Sequence, residues 1–185
     1  MTETIKVGFK RLNDNAIIPT KAHATDSGYD LYANEDVLIE PGDTAIVKTG
    51  IAVELPAGYE AQIRPRSGVT AKTKLRVQLG TIDNGYRGEL GVIVDNIGQP
   101  EILGIDLNTK ELEYNTSFYP TLLSGEESED WDDFSISLTP TYLIRKGDRI
   151  AQLVIQRLPE TEAVEIDEFS EDSERGANGF GSSGV

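Results

Sequence analysis

Turn signals cut this sequence into short apolar runs at close spacing, and that punctuation narrows the possible folds more than any other feature. Pro41-Gly42-Asp43, Pro56-Ala57-Gly58, Asn84-Gly85 and Arg145 to Arg149 separate stretches that alternate or are continuously apolar. The strands expected are Ile5 to Phe9, the end of Thr25 to Ala33, Val37 to Glu40, Ala45 to Leu55 with an interruption at Gly50, Tyr59 to Ile63, Leu90 to Val94, Thr141 to Ile144, and Ile150 to Gln156. Ala16-Ile17-Ile18 is a further short apolar run. This spacing predicts an all-β sandwich or barrel. A chain of 185 residues suffices for one domain with its own core plus a small insert.

Composition excludes several chemistries. There is no Cys, so neither a disulfide framework nor a thiolate zinc site is available, and His23 is the only histidine. A metal would be a hard cation held by carboxylates, water or substrate phosphates. No signal peptide is recognisable and no apolar run approaches membrane-spanning length, so the expectation is a soluble, cytoplasmic protein with no membrane partner. A net charge of −15 argues against direct nucleic-acid binding. That charge is concentrated. Residues 101–134 hold ten acids and one base, residues 159–174 hold eight acids and no base, and the remainder is +2. Outside those two segments the chain can still cradle an anion.

Four stretches carry candidate chemistry. Leu79 to Leu90 reads as a β-hairpin around Asn84-Gly85, a dipeptide suited to a turn with positive φ. Asp83 and Tyr86 sit at its tip, either as an ordinary turn Asp and surface Tyr or as a carboxylate and flat ring facing a ligand. In Thr25 to Ala33, Asp30 lies between Tyr29 and Leu31, either as a turn residue or as a half-buried carboxylate needing an Arg or a cation. Arg64-Pro65-Arg66-Ser67-Gly68 breaks the strand pattern. Ser67 can cap a short helix over Val69 to Lys72, and two arginines beside a hydroxyl suit a phosphate if they are not simply solvated. Arg175 to Val185 is Gly- and Ser-rich, as a flexible tail would be, yet it carries an Arg and a Phe.

These stretches, with Gly147 to Leu153, resemble in order the five motifs of the homotrimeric, all-β dUTP pyrophosphatases, the dUTPases. The resemblance implies a distorted jelly-roll or β-barrel and Mg2+-dependent hydrolysis of dUTP to dUMP and pyrophosphate. It implies that Asp83 is the general base and that Asp30 holds Mg2+ through water. It implies that Tyr86 lies against the deoxyribose and excludes a 2′-hydroxyl, while the backbone around Gly80 and Ile82 pairs with uracil. Arg66, Ser67, Gly68 and Gln152 would meet phosphates from a neighbouring chain. Arg175 would meet the γ-phosphate, Phe180 would stack on uracil, and Gly181, Ser182 and Ser183 would hold phosphate oxygens. Each site would draw on three chains of a homotrimer. The sequence departs from the family where an Asn often contacts uracil, six residues before the base; here Val77 stands there, with Gln78 beside it. A dCTP deaminase would share the fold but uses a Glu base and lacks the Asp83 to Gly88 pattern.

The resemblance divides the chain into a β-core (1–96 and 138–158), an acidic insert (97–137) and a C-terminal connector and arm (159–185). Such an insert before the fourth motif is similar to those of phage-type members, a subgroup that includes repressor-binding proteins. A regulatory protein whose acidic insert binds a protein partner is therefore the alternative reading, with or without catalysis. The insert holds many apolar residues, Trp131 among them, too many for a disordered acidic loop. It is expected to form a small lobe that a short loop can replace.

Removing residues 175–185 is expected to leave a folded trimer and to abolish most dUTP turnover, because the arm closes the site. Mixing that truncated protein with Asp83→Asn protein is expected to restore part of the activity. No recovery after confirmed subunit exchange would contradict sites shared between chains.

Overall fold

The computed structural model describes residues 4–100, 102–105, 109, 111–117, 119–128, 137–138 and 140–171. The strands in chain order are β1 (Gly8–Arg11), β2 (Gly28–Tyr32), β3 (Val37–Ile39), β4 (Thr44–Lys48), β5 (Ile51–Glu54), β6 (Tyr59–Pro65), β7 (Leu75–Val77), β8 (Gly80–Ile82) and β9 (Gly91–Asn96). Then follow β10 (Ile102–Ile105), β11 (Leu112–Tyr114), β12 (Thr116–Ser117), β13 (Thr121–Leu122), β14 (Ser137–Leu138), β15 (Tyr142–Ile144) and β16 (Arg149–Arg157). One short helix, α1 (Ser67–Lys72), joins β6 to β7. The all-β expectation holds.

A four-stranded sheet in the order β2-β16-β6-β8 and a three-stranded sheet in the order β4-β9-β7 carry most of the fold, with β13-β15-β3 and the pair β1-β5 completing it. Alternation explains the layers. In β9, Val92 and Val94 are buried while Ile93 between them is exposed; in β6, Ala61 and Ile63 are buried. Leu31, Ile39, Val47, Ile51, Leu75, Leu90, Val92, Ile150 and Leu153 are almost completely buried and form one core.

Several local expectations change. The first strand begins at Gly8 rather than Ile5, because it is the segment Gly8 to Arg11 that pairs with Glu54 to Ile51. Ala16 to Ile18 forms no strand; Ala16 is buried against the core from a turn instead, its N–H donating to the Asn13 carbonyl. The interruption at Gly50 is real: φ is +67°, and a Cβ there would lie 2.7 Å from that of Ala16. The break lets β4 pair with β9 while β5 pairs with β1.

The stretch 79–90 is not a hairpin. Its first strand, β8, pairs with β6, and the strand that follows, β9, pairs with β4 and β7. The chain therefore arches from one sheet to the other. Gly85 is not among the glycines with positive φ, so the Asn84-Gly85 turn is not the type that twists two paired strands together.

Asn96 holds the place where the 97–137 segment leaves and re-enters. It is 1% exposed, and its amide donates to the carbonyls of Ile39 (3.1 Å) and Pro140 (2.8 Å) while accepting from the Gly98 N–H (2.9 Å). Beyond it, β10 and β11 form a ribbon whose Ile102, Leu103, Leu112 and Tyr114 are exposed. Residues 119–128 behave differently. β13 runs parallel to β15, Leu123 packs on the core, and buried Ser128 accepts a hydrogen bond from Arg145 (2.9 Å). The connector over 159–171 contains no helix or strand and exposes Val164, Ile166 and Phe169.

Asn96→Ala is expected to destabilise the fold by about 1–3 kcal/mol, because buried carbonyls lose their donor. The urea midpoint measures this. An unchanged midpoint would show that the two ends of the 97–137 segment are held by other contacts.

Candidate active site

Strand register assembles the first half of the site. Gln152 on β16 lies directly opposite Asp30 on β2 and Arg64 on β6, so the three side chains emerge on one face. Arg66 follows Arg64 by two residues, just past the end of β6. Asp30 is only 9% exposed, and a carboxylate that deep needs partners. Of the two partners open to it from the sequence, the structure supplies arginine. Arg66 Nε lies 3.1 Å from Asp30 Oδ1, and Arg149 Nη1 lies 3.5 Å from Oδ2. Arg66 also donates from Nη1 to the Arg149 carbonyl (2.9 Å), which holds the cluster together.

The adjoining helix presents the rest. Ser67 does not cap α1: it is the first helical residue, Arg66 occupies the N-cap position, and no side chain caps the end. Ser67 and Gly68 are left exposed. Beside them a cavity of about 260 Å3 is lined by Arg66, Gly68, Lys72, Leu123, Ser124, Asp148 and Arg149, with Val69 at its floor. Sequence reasoning missed Lys72 and Arg149. Lys72 was legible in principle, since it stands four residues after Gly68 on a helix and so shares its face. Leu123 and Ser124 carried no signal, because their approach depends on the pairing of β13 with β15. Burial pushes the Asp148 carboxyl up, opposed by the hydrogen bond it accepts from the Arg145 N–H.

The arch between β8 and β9 forms the second half. Asp83 is exposed, and its carboxylate makes no hydrogen bond or ion pair with the described residues. Its carbonyl accepts from the Tyr86 N–H (3.0 Å), closing the turn. The Tyr86 ring is folded back over Gly88, and its hydroxyl donates to the Glu89 carbonyl (2.9 Å). A Cβ on Gly88 would collide with that ring. Gly80 and Ile82 pair with Ile63 and Ala61, fixing the backbone that leads to Asp83.

Val77 has no polar side chain, and Gln78 does not take its place. The Gln78 amide is bonded to Asp95, which also accepts from Thr44 Oγ1 (2.7 Å). Those hydrogen bonds, Thr44 first, hold the Asp95 carboxyl below its usual range. The arch therefore offers a nucleobase backbone groups and the Tyr86 ring, and no recognition amide from position 77 or 78.

Among the described residues no hydrogen bond or ion pair joins Asp83 or Tyr86 to Asp30, Arg66 or Gln152. One chain thus carries a basic half-site and a carboxylate–tyrosine half-site. Arg175, Phe180, Gly181, Ser182 and Ser183 lie outside the described residues, as does Trp131. No group of three His, Cys, Asp or Glu residues able to enclose a metal exists among the described residues. The donor set therefore fits a Mg2+ that keeps its waters and is held chiefly by substrate phosphates beside one carboxylate, Asp30, rather than an ion caged by protein.

A family model described as dUTPase matches residues 14–104 and 137–184, passing over 105–136. A deoxyuridine 5′-triphosphate nucleotidohydrolase of Clostridioides difficile is 40% identical over 177 residues, covering 95% of each chain. Another from Thermobifida fusca is 42% identical over 183 residues, 98% of this chain and 80% of that one. Among solved structures, the Staphylococcus bacteriophage 80alpha dUTPase with dUpNHpp is 37% identical over 98% of this chain and 100% of its own, with a TM-score of 0.85; it is described in connection with phage dUTPases controlling transfer of virulence genes. The dUTPase of phage phi11 of S. aureus, described with a species-specific insert, is 33% identical over 91% of this chain and 100% of its own, with a TM-score of 0.78. A mutant form of that protein is described with a structural Mg(II) ion. With the family model covering well over half of its length and close relatives spanning nearly all of it, the chain belongs to the dUTPase family.

Proposed function

We propose that this protein hydrolyses dUTP to dUMP and pyrophosphate in the cytoplasm, limiting uracil incorporation into DNA and supplying dUMP for thymidylate synthesis. The observation that carries the reading is Asp83: an exposed carboxylate with no hydrogen bond or ion pair to the described residues, on the same arch as Tyr86, whose N–H bonds to the Asp83 carbonyl. Asp83 takes a proton from a water, and that water's oxygen attacks the α-phosphorus. The bond from the α-phosphorus to the bridging oxygen breaks, pyrophosphate leaves with the electron pair, and the proton on Asp83 passes to solvent. Tyr86 lies against the deoxyribose and leaves no space for a 2′-hydroxyl. The backbone around Gly80 and Ile82 meets the uracil edge. Mg2+ on the phosphates, when bound, draws charge from the phosphorus, with Asp30 holding it through water.

The two half-sites are complementary parts of sites shared in a homotrimer. Arg66, Ser67, Gly68 and Gln152 of a neighbouring chain hold the phosphates, and the arm of another brings Arg175 to the γ-phosphate, Phe180 onto uracil, and Gly181, Ser182 and Ser183 to phosphate oxygens. The lack, among the described residues, of any hydrogen bond or ion pair between Asp83 and the basic cluster fits this reading. So do the exposed Val164, Ile166 and Phe169 in the connector, which a neighbour's surface would cover. In this reading 1–96 and 138–158 form the core, 97–137 the insert, and 159–185 the connector and arm.

A second reading rests on the β10–β11 ribbon, whose exposed Ile102, Leu103, Leu112 and Tyr114 lie among acidic residues. It is a docking surface for a basic protein partner, compatible with catalysis.

Asp83→Asn keeps the side chain's shape and removes its basicity. Turnover of dUTP is expected to fall about 10²–10⁴-fold, with dUTP binding retained. Wild-type turnover in this variant would rule out Asp83 as the base.

A further inference from the structure

We propose that Asn84 is the positioning residue that holds in place the backbone groups and the Tyr86 ring with which this chain selects its nucleotide. The inference rests on the hydrolase reading for the identity of the nucleotide. Position 77 carries Val, and Gln78 is tied to Asp95, so the base is met by the main chain around the arch. Backbone groups discriminate only when they are held still, since a displacement near 1 Å costs about 10²-fold in rate.

The turn itself does not supply that rigidity. Asp83 and Gly85 are exposed, and the strands on either side belong to different sheets, so no ladder clamps the tip. Asn84 is half-buried and does what a ladder would. Its Nδ2 donates to the Leu55 carbonyl (2.8 Å) and to the Pro56 carbonyl (2.7 Å). Leu55 is buried and Pro56 has a fixed φ, so the anchor is stiff. On the other side, Arg87 Nη1 donates to the Asn84 carbonyl (2.6 Å) and the Tyr86 carbonyl (2.9 Å). Asn84 is thus gripped through both its side chain and its main chain. It stands directly after Asp83 and two residues before Tyr86, and it fixes where both point.

An Asp at this position has an equally sized side chain but no donor, and would face two carbonyl oxygens with a negative charge. Ser keeps a single short donor. In Asn84→Ala the Leu55 and Pro56 carbonyls lose this donor, so the variant loses both the position of the turn and some stability.

The test compares wild type, Asn84→Ala and Asn84→Ser, each as full-length protein. Binding of dUMP, UMP and TMP is measured by calorimetry, and kcat and KM for dUTP and UTP are measured with Mg2+. Asn84→Ala is expected to lose about 10²-fold in kcat/KM for dUTP. Its preference for dUMP over UMP and TMP is expected to shrink at least tenfold, with Tm lowered by about 2–4 °C. Asn84→Ser is expected to recover part of the preference, and it serves if the alanine variant does not fold. Wild-type selectivity in a folded variant, or an equal loss for all three nucleotides, would overturn the role given to Asn84. Selective dUMP binding by wild type without dUTP turnover would instead sink the hydrolase reading and leave Asn84 in place.

Discussion

The pairing of β16 with both β2 and β6 is the constraint on which the basic cluster of the molecule depends. It is the longest strand, and its register brings Asp30, Gln152 and Arg64 abreast on one face. Because Asp30 is nearly buried, its charge must be met, and it draws Arg66 and Arg149 to either side of it. The arginines are thereby ordered and gathered before any anion arrives. A slip of one residue in β16 would turn Gln152 to the opposite face and separate it from Asp30. The buried residues Ile150, Ala151, Leu153 and Val154 fix that register through the core.

The Asp83 carboxylate is placed by a different device. Asp83 stands on an arch between two sheets, and side chains and turn bonds rather than a strand ladder keep it there. Tyr86 is folded over Gly88, Arg87 binds the turn's carbonyls, and Asn84 reaches the Leu55–Pro56 corner. Separating a rigid basic surface from a carboxylate held by local hydrogen bonds suits an enzyme assembled from several chains.

The sequence disclosed the all-β class, because turns at Pro41-Gly42, Pro56-Ala57-Gly58 and Gly147 leave only short strands between them. It singled out Asp83, Tyr86, Asp30 and Arg66 as candidates because their order and spacing resemble a family's motifs. It did not disclose which strands pair. Asn84-Gly85 between apolar runs has the local signature of a hairpin, and only the non-local pairing of β8 with β6 and β9 with β4 makes it an arch. Ser67 matched a capping residue, yet the helix begins one position earlier than a cap requires. That Asp30 meets Arg149 could not be read locally, because that arginine stands on a strand 119 residues away. The inward packing of Leu123 within an acidic segment was hidden for the same reason.

The most direct measurement is pyrophosphate release from dUTP, UTP, dTTP and dCTP, each with Mg2+. This account predicts rapid release from dUTP and little from the other three: Tyr86 rejects the 2′-hydroxyl of UTP, and the backbone of the arch rejects the 5-methyl group of dTTP and the amino group of dCTP. Comparable release from all four nucleotides, or none from dUTP, would contradict it.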